Sequence, residues 1–87
     1  MKIKKGFILR EIAGNYVVVA VGDRVKTFNG VINLNESGAF IWKQLENGTE
    51  KEKIIEEMLK EYNVSEEDAK KDVEIFIGKI KEAGLIE

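Results

Sequence analysis

The chain has 87 residues, a formal net charge of −2, and neither cysteine nor histidine. These counts exclude a disulfide framework, a zinc site of cysteines and histidines, a thiol nucleophile and an imidazole base. Serine occurs only at Ser37 and Ser65, and no histidine can activate either hydroxyl. We therefore expect a protein that is not an enzyme and needs no cofactor.

Size and composition indicate one folded domain over residues 1–87. The chain contains 28 Leu, Ile, Val and Phe residues, a share well above that of disordered chains. The apolar run after the N-terminal lysines ends at Arg10 and Glu11, too soon for a signal peptide. No run approaches the length of a membrane span. We therefore expect a cytoplasmic protein with no membrane partner.

The charge is unevenly divided along the chain. Residues 1–29 carry six basic and two acidic side chains, whereas residues 35–87 carry eight basic and fourteen acidic ones. The first part is therefore at +4 and the second at −6. Such a division is typical either of a charged partner or, more simply, of a solvated acidic surface.

Three short apolar runs, at residues 7–9, 16–21 and 31–34, predict strands because they are rich in β-branched and aromatic side chains and are separated by glycine. Gly14 and Gly22 mark the turns. The segment before the third strand leaves alternatives. Asn29-Gly30 suits a hairpin between residues 25–28 and 31–34, or a bulge within one strand. We favour an irregular approach into a third strand at about residues 28–34.

After Leu34 the apolar period becomes helical. Asn35 is placed to cap a first helix, and Asn47-Gly48 ends it. Its stripe follows the helical spacing i, i+3, i+4 and i+7 at Gly38, Ile41, Trp42 and Leu45. Residues 49–52 match a capping box for a second helix. Its stripe consists of Ile54, Ile55, Met58, Leu59 and Tyr62, and Asn63 closes it.

A third helix begins at Ser65, with acidic residues in its first turn, and ends at Gly84. We expect Leu85 and Ile86 to pack back onto the body of the protein. The fold class is therefore α+β: a three-stranded antiparallel sheet followed by three helices, as in a winged helix-turn-helix with the sheet placed first. The core stripe of the third helix is Ala69, Val73, Phe76, Ile77 and Ile80.

Two features are not explained by the core pattern. Ile75 lies away from the stripe of the third helix, on a face shared with charged residues. Phe40 is also off the stripe of its helix, and we assign it to a second buried side. The third strand has no proline and no charge, so its edge lacks the usual protection against pairing. An extended peptide that paired with this edge would place alternate side chains beside the third helix.

Residues 34–42, Leu-Asn-Glu-Ser-Gly-Ala-Phe-Ile-Trp, together with the preceding strands, Gly48-Thr49 and the closing Gly84-Leu85-Ile86, resemble the PqqD family. This family is named after the pyrroloquinoline quinone biosynthesis protein D. Its domain is also called the precursor peptide recognition element of ribosomally synthesised, modified peptides. The resemblance implies a peptide chaperone that binds a precursor's leader and presents it to a modifying enzyme, often a radical S-adenosylmethionine enzyme.

The resemblance also implies a peptide-binding site between the third strand and the third helix. The stretch from Gly22 to Asn29 is longer than in some relatives, which leaves the register of the strand open. The residues of the implied site are Phe28, Val31, Ile32, Asn33, Leu34, Lys71, Asp72, Ile75, Phe76 and Lys79.

Two other functions remain as alternatives. A winged helix commonly places its last helix in the DNA major groove. Residues 65–87 carry seven acidic side chains and four lysines, and phosphate would repel this net negative charge. Only Arg10 and Arg24 could contact guanine bidentately, so we expect no nucleic-acid partner. The second alternative is a dimerisation module, in which a homodimer forms through the sheet edge.

Overall fold

Three strands precede three helices in the computed structural model, which describes residues 1–28 and 30–87. The strands pair antiparallel in the spatial order β1-β2-β3. The α+β architecture predicted from the sequence is confirmed. The elements are β1 (Phe7–Ile12), β2 (Asn15–Ala20), β3 (Ile32–Leu34), α1 (Glu36–Glu46), α2 (Lys51–Glu61) and α3 (Glu66–Glu82).

The first two strands form a tight hairpin at the predicted turn. Ile12 pairs with Asn15, so Ala13 and Gly14 alone form the loop. Both have positive φ, 52° and 80°, as a type I′ turn requires. Ala13 adopts a conformation that residues with a side chain rarely take, and the glycine beside it completes the turn.

The link between β2 and β3 contains a short 3-10 helix, Gly22–Lys26, rather than a strand. The alternative of a hairpin built on residues 25–28 is therefore wrong. The side chain of Arg24 explains the difference: its Nε donates to the Lys5 carbonyl at 3.0 Å and its guanidinium lies 5.5 Å from the Phe7 ring centre. The predicted turn at Asn29-Gly30 includes Asn29, which lies outside the described residues.

The third strand begins at Ile32, whereas the favoured prediction is a strand over about residues 28–34, and Val31 is not part of it. Ile32 and Leu34 are half-buried, whereas Asn33 between them is exposed. Ile32 lies opposite the fully buried Val18, so these two side chains face the core.

Side chains cap two helices as the sequence predicts. Asn35 Oδ1 accepts from the Gly38 amide at 2.8 Å and starts α1. Ser65 Oγ accepts from the Asp68 amide at 3.1 Å and starts α3. Each bond pairs an amide that the helix itself leaves free.

The capping box predicted for α2 is wrong. The cap residue is Glu50, and no side-chain hydrogen bond caps the helix. Thr49 lies one residue too early because the N-terminal residue holds it: the Thr49 amide donates to the Met1 carbonyl at 2.9 Å, and the Met1 ammonium donates to the Thr49 carbonyl at 2.9 Å. The helix ends at Glu61, and Tyr62 is already extended, so the predicted end at Asn63 is slightly late.

The C-terminus folds back as expected. Gly84, with φ of 82°, ends α3, and the Leu85 amide donates to the Ile80 carbonyl at 2.9 Å while the Gly84 amide donates to Lys81 at 3.0 Å. These two bonds form a Schellman motif. Leu85 is fully buried, and Ile86 forms a bridge with Ile3.

One apolar core joins the sheet to all three helices. In α2, Leu59 is 37% exposed, so its assignment to the buried stripe is wrong.

Phe40 is half-buried and meets Tyr62 edge to face at 5.3 Å. Burial, and then the charge of Glu36, raise the pKa of the Tyr62 hydroxyl. The largest fully buried side chains are Trp42, Ile41, Leu45, Ile54, Met58, Leu85, Val18 and Val73.

Within residues 1–28 and 30–87, no helix combines the length and the apolar character needed to cross a bilayer.

Candidate functional site

The edge of β3 is the first part of the site. β3 is the last strand of the sheet and pairs with β2 through Ile32–Leu34. Among the described residues, no strand pairs with its other side. The strand carries neither charge nor proline, the usual means by which proteins protect such an edge. Within the described residues, its backbone groups on that side therefore have no strand partner.

The start of α1 closes one end of this edge. Leu34 is followed directly by the capping residue Asn35, whose Oδ1 accepts from the Gly38 amide and from Ser37 Oγ at 3.1 Å. These two hydrogen bonds hold the Asn35 side chain in place where the strand gives way to the helix. The change of direction brings the N-terminal part of α1 against α3.

α3 supplies the opposite wall. Phe76 is half-buried and packs on the core, whereas Ile75 is 48% exposed. Phe76 approaches α1 where Gly38 has no side chain: a methyl group at Gly38 would lie 3.2 Å from Phe76 Cε1 and 3.5 Å from Leu34 Cβ. Gly38 has an ordinary helical φ, so close packing rather than backbone conformation explains this glycine.

Between these walls lies a cleft of about 410 Å³, in the size range of ligand pockets. Its lining combines the apolar side chains of Leu34, Ile41, Ile75 and Phe76 with polar ones. The α3 wall carries one acidic and one basic side chain, and the cleft runs beside the β3 edge. The lining residues are Asn33, Leu34, Asn35, Ser37, Gly38, Ile41, Asp72, Ile75, Phe76 and Lys79.

The structure brings together six of the ten residues that the family resemblance implies. Phe28 lies elsewhere, edge to face with Phe7 at 5.2 Å. Ile32 is half-buried against the core, and Val31 precedes the strand with 55% exposure. Lys71 is exposed on α3 but does not line the cleft. The six that line the cleft are Asn33, Leu34, Asp72, Ile75, Phe76 and Lys79.

Four lining residues were not among the predicted site residues: Asn35, Ser37, Gly38 and Ile41. The sequence explains Asn35 as a cap and Ile41 as core, and both descriptions hold, so neither suggested a second role. Gly38 did carry a signal, because glycine within a helix costs about 1 kcal/mol relative to alanine. A glycine at such a position indicates close approach by a neighbour.

The family model for coenzyme PQQ synthesis protein D (PqqD) matches residues 15–86. The chain belongs to the PqqD family. The match covers β2, β3 and the three helices, and with them every residue that lines the cleft. The family assignment made from residues 34–42 and the closing residues is therefore confirmed.

Two solved structures are similar over almost the whole chain. TbiB1, in complex with the TbiA(beta) leader peptide, is 25% identical with a TM-score of 0.80, and the alignment covers 100% of this chain and 95% of TbiB1. A lasso peptide synthetase B1, complexed with the leader peptide, is 20% identical with a TM-score of 0.75, and the alignment covers 97% of this chain and 93% of that protein. The second likeness concerns the fold alone. No curated protein sequence matches the chain.

Proposed function

We propose that the chain recognises the leader of a ribosomally made precursor peptide by adding it as a fourth strand to β3. The observation that carries this proposal is the unpaired β3 edge beside a cleft lined by both apolar and charged side chains. Membership of the PqqD family supports it. So does the likeness to TbiB1, which is solved with a leader peptide.

Strand addition uses the two parts of the site for different tasks. The backbone of the β3 edge gives hydrogen bonds that depend little on sequence, and the cleft receives every second side chain of the peptide. In this proposal Val31, Ile32, Asn33 and Leu34 lie along the added strand, and Phe28 supports the sheet from the core side. The residues of α3 proposed to meet the peptide's side chains are Lys71, Asp72, Ile75, Phe76 and Lys79.

The protein then acts by proximity and not by chemistry of its own. A leader held on β3 keeps the attached core peptide near the partner enzyme at an effective concentration of about a millimolar. The absence of histidine and cysteine from the chain fits a role in which a separate enzyme carries out the modification. The family resemblance implies a radical S-adenosylmethionine enzyme as that partner. Because the precursor is made on ribosomes, we place the interaction in the cytoplasm.

An amide-shift titration of the labelled protein with the leader of its precursor tests this function. We expect the largest shifts at Ile32–Leu34 and around Ile75 and Phe76. Unmoved resonances at these positions with saturating peptide would show that the peptide binds elsewhere or not at all.

A homodimer through the same edge would compete with the peptide. Sedimentation equilibrium with and without the leader separates the two uses of β3. Strand addition predicts that the complex contains one copy of each chain. A dimer that persists at saturating peptide, with β3 amides still protected by the second copy, would show that the edge is not the peptide site.

A further inference from the structure

The cleft carries one charge towards each end of its α3 wall. Asp72 and Lys79 both line it and are seven positions apart in one helix, so they lie on the same face about 10.5 Å apart. Ile75 and Phe76 lie between them. Neither Asp72 nor Lys79 forms a salt bridge with another residue in the described part of the chain. Two unmatched charges of opposite sign therefore flank an apolar centre.

Hydrogen bonds fix which end of the sheet α3 points to. Just after α3, the Leu85 carbonyl accepts from the Lys4 amide at 2.8 Å. Gly6 lies two residues after Lys4, and its carbonyl accepts from the Val21 amide at 2.8 Å. This bond lies where β1 begins and β2 has ended. The C-terminal end of α3 therefore lies at the end of the sheet where β1 starts.

β3 starts towards the same end of the sheet and runs away from it. It is antiparallel to β2, and passes from Ile32 opposite Val18 to Leu34 opposite Tyr16. Beyond its far end, Gly38 lies against Phe76. From Phe76, α3 runs to its C-terminus at the end of the sheet where β3 starts. Lys79 therefore lies towards the start of β3, and Asp72 lies towards the end of β3. α3 thus runs antiparallel to β3 along the cleft.

A fourth strand that continues this sheet would also run antiparallel to β3, because both existing pairs are antiparallel. Its N-terminal part would lie near Asp72 and its C-terminal part near Lys79. Side chains on one face of a strand recur every second residue, about 6.8 Å apart. The side chains two residues before and two residues after a central one are therefore about 13.5 Å apart at their attachment points. Long, flexible charged side chains can lean inwards to meet Asp72 and Lys79, which are about 10.5 Å apart.

We infer that the bound segment has a fixed charge order. From N- to C-terminus it carries a basic side chain facing Asp72, an apolar one two residues later over Ile75 and Phe76, and an acidic one two residues after that, facing Lys79. This inference rests on strand addition to β3. The charge order fixes the direction in which the segment binds, because the reversed order would place like charges together at both ends.

Two synthetic peptides of about nine residues, capped at both ends, test the charge order. Both have phenylalanine at the centre and serine or threonine at the other positions. One carries lysine two residues before the phenylalanine and glutamate two residues after it, and the other has these two exchanged. Their composition and net charge are identical, so only the order differs. Binding is measured by amide shifts of β3 and of α3.

We expect the lysine-first peptide to bind about tenfold more tightly at low ionic strength, since each exposed ion pair contributes a fraction of a kcal/mol and the reversed order repels. The preference should shrink in high salt. In a variant that combines Asp72→Lys with Lys79→Asp, it should reverse. Both substitutions are on the exposed face of α3, and an unchanged melting temperature verifies that the variant folds.

The outcomes separate this inference from the function it rests on. Equal affinities of the two peptides, with shifts at β3 in both titrations, would overturn the charge order and leave strand addition intact. A preference that does not reverse in the exchanged variant would overturn it as well. If neither peptide moves the β3 resonances but the leader of the precursor does, the charge order falls and strand addition stands. If the leader does not move them either, both fall.

Discussion

At the scale of single residues, Ile75 is the apolar side chain that α3 exposes to the cleft. It is 48% exposed, whereas Val73 and Ile77 on the same helix are buried. Replacing a half-exposed side chain disturbs a core little, because most of its surface is already in contact with water. Ile75 therefore separates binding from folding better than the other apolar side chains of the cleft, Leu34, Ile41 and Phe76, which are buried or half-buried.

We predict that Ile75→Glu weakens leader binding by about tenfold, corresponding to the loss of an apolar contact of about 1–2 kcal/mol. The melting temperature should change by less than about 2 °C. Calorimetric titration and thermal unfolding measure the two effects. Leu59→Glu is the matched control, since Leu59 is also exposed, at 37%, but lies on α2 outside the cleft. A large fall in melting temperature for Ile75→Glu alone would place Ile75 in the core.

Gly38 lines the cleft at the point where α1 lies against Phe76 of α3. In Gly38→Ala the new methyl group would lie 3.0 Å from Asn35 Oδ1 and 3.2 Å from Phe76 Cε1. We expect the Phe76 ring to move into the cleft and leader affinity to fall several-fold. The free energy of unfolding should change by less than about 1 kcal/mol, because the better helix propensity of alanine offsets the strain.

Gly78→Ala is the control for this variant. Gly78 is also within a helix, but nothing lies within 4 Å of the position of an added methyl group. It should raise the free energy of unfolding by about 1 kcal/mol, and leader affinity should stay unchanged. Equal affinities of the two variants in the same titration would contradict the role of Gly38.

At the scale of elements, the helix starts provide a direct comparison between a cap that forms and one that does not. Ser65→Ala removes the bond to the Asp68 amide and should cost about 1 kcal/mol. Thr49→Ala should cost less than about 0.5 kcal/mol, because no side-chain bond caps α2. Urea unfolding of the two variants measures the difference. Equal losses would mean that Thr49 does cap its helix.

The sequence predicted the elements whose signals are local. Helical period, the caps at Asn35 and Ser65, and the glycine that ends α3 all depend on residues within a few positions of each other. The prediction of local structure failed where contacts between residues far apart in the sequence determine it. The 3-10 helix depends on Arg24 meeting Lys5, 19 positions away, and the start of α2 depends on Met1 holding Thr49, 48 positions away.

The candidate site divides in the same way. Ile75 could be found because a helical wheel shows that it leaves the core stripe. The β3 edge could be found because strand count and composition are sequence properties. Ile41 was missed because its place in the cleft follows from how α1 packs on α3, which no local pattern contains. Gly38, a glycine within a helix, indicated a close neighbour but not which one.

At the scale of the whole molecule, the N-terminal and C-terminal segments are paired with each other by hydrogen bonds. Ile3 forms a bridge with Ile86, the Glu87 amide donates to the Lys2 carbonyl at 2.9 Å, and the Ile3 amide donates to the Leu45 carbonyl at 3.2 Å. Leu85, between these contacts, is fully buried. The terminal segments are thus part of the scaffold that orients α3 along the cleft.

We predict that Leu85→Ala lowers the free energy of unfolding by about 2–5 kcal/mol, as for other fully buried leucines, although it lies two residues from the end of the chain. Urea unfolding followed by the fluorescence of Trp42, the single tryptophan, measures this loss. Ile12→Ala, at a position that is 60% exposed, should cost far less. Similar losses in the two variants would show that the C-terminal segment does not support the core.

The distribution of charge over the whole molecule argues against nucleic acid as the ligand. The first turn of α3 exposes Glu66, Glu67 and Asp68, in the helix that a winged helix protein would place in the major groove. Most of the basic residues that could meet phosphate lie on other elements. A peptide that pairs with β3 needs no such basic surface.

The most direct test of strand addition is amide hydrogen exchange of β3 in the complex saturated with leader peptide, together with cross-strand contacts measured by nuclear Overhauser effects. Our account predicts that amides of Ile32–Leu34 on the open edge exchange at least about tenfold more slowly than in the free protein. It also predicts contacts between backbone protons of β3 and those of the peptide in an antiparallel register. A tightly bound peptide that leaves the exchange of β3 unchanged and shows no such contacts would contradict strand addition.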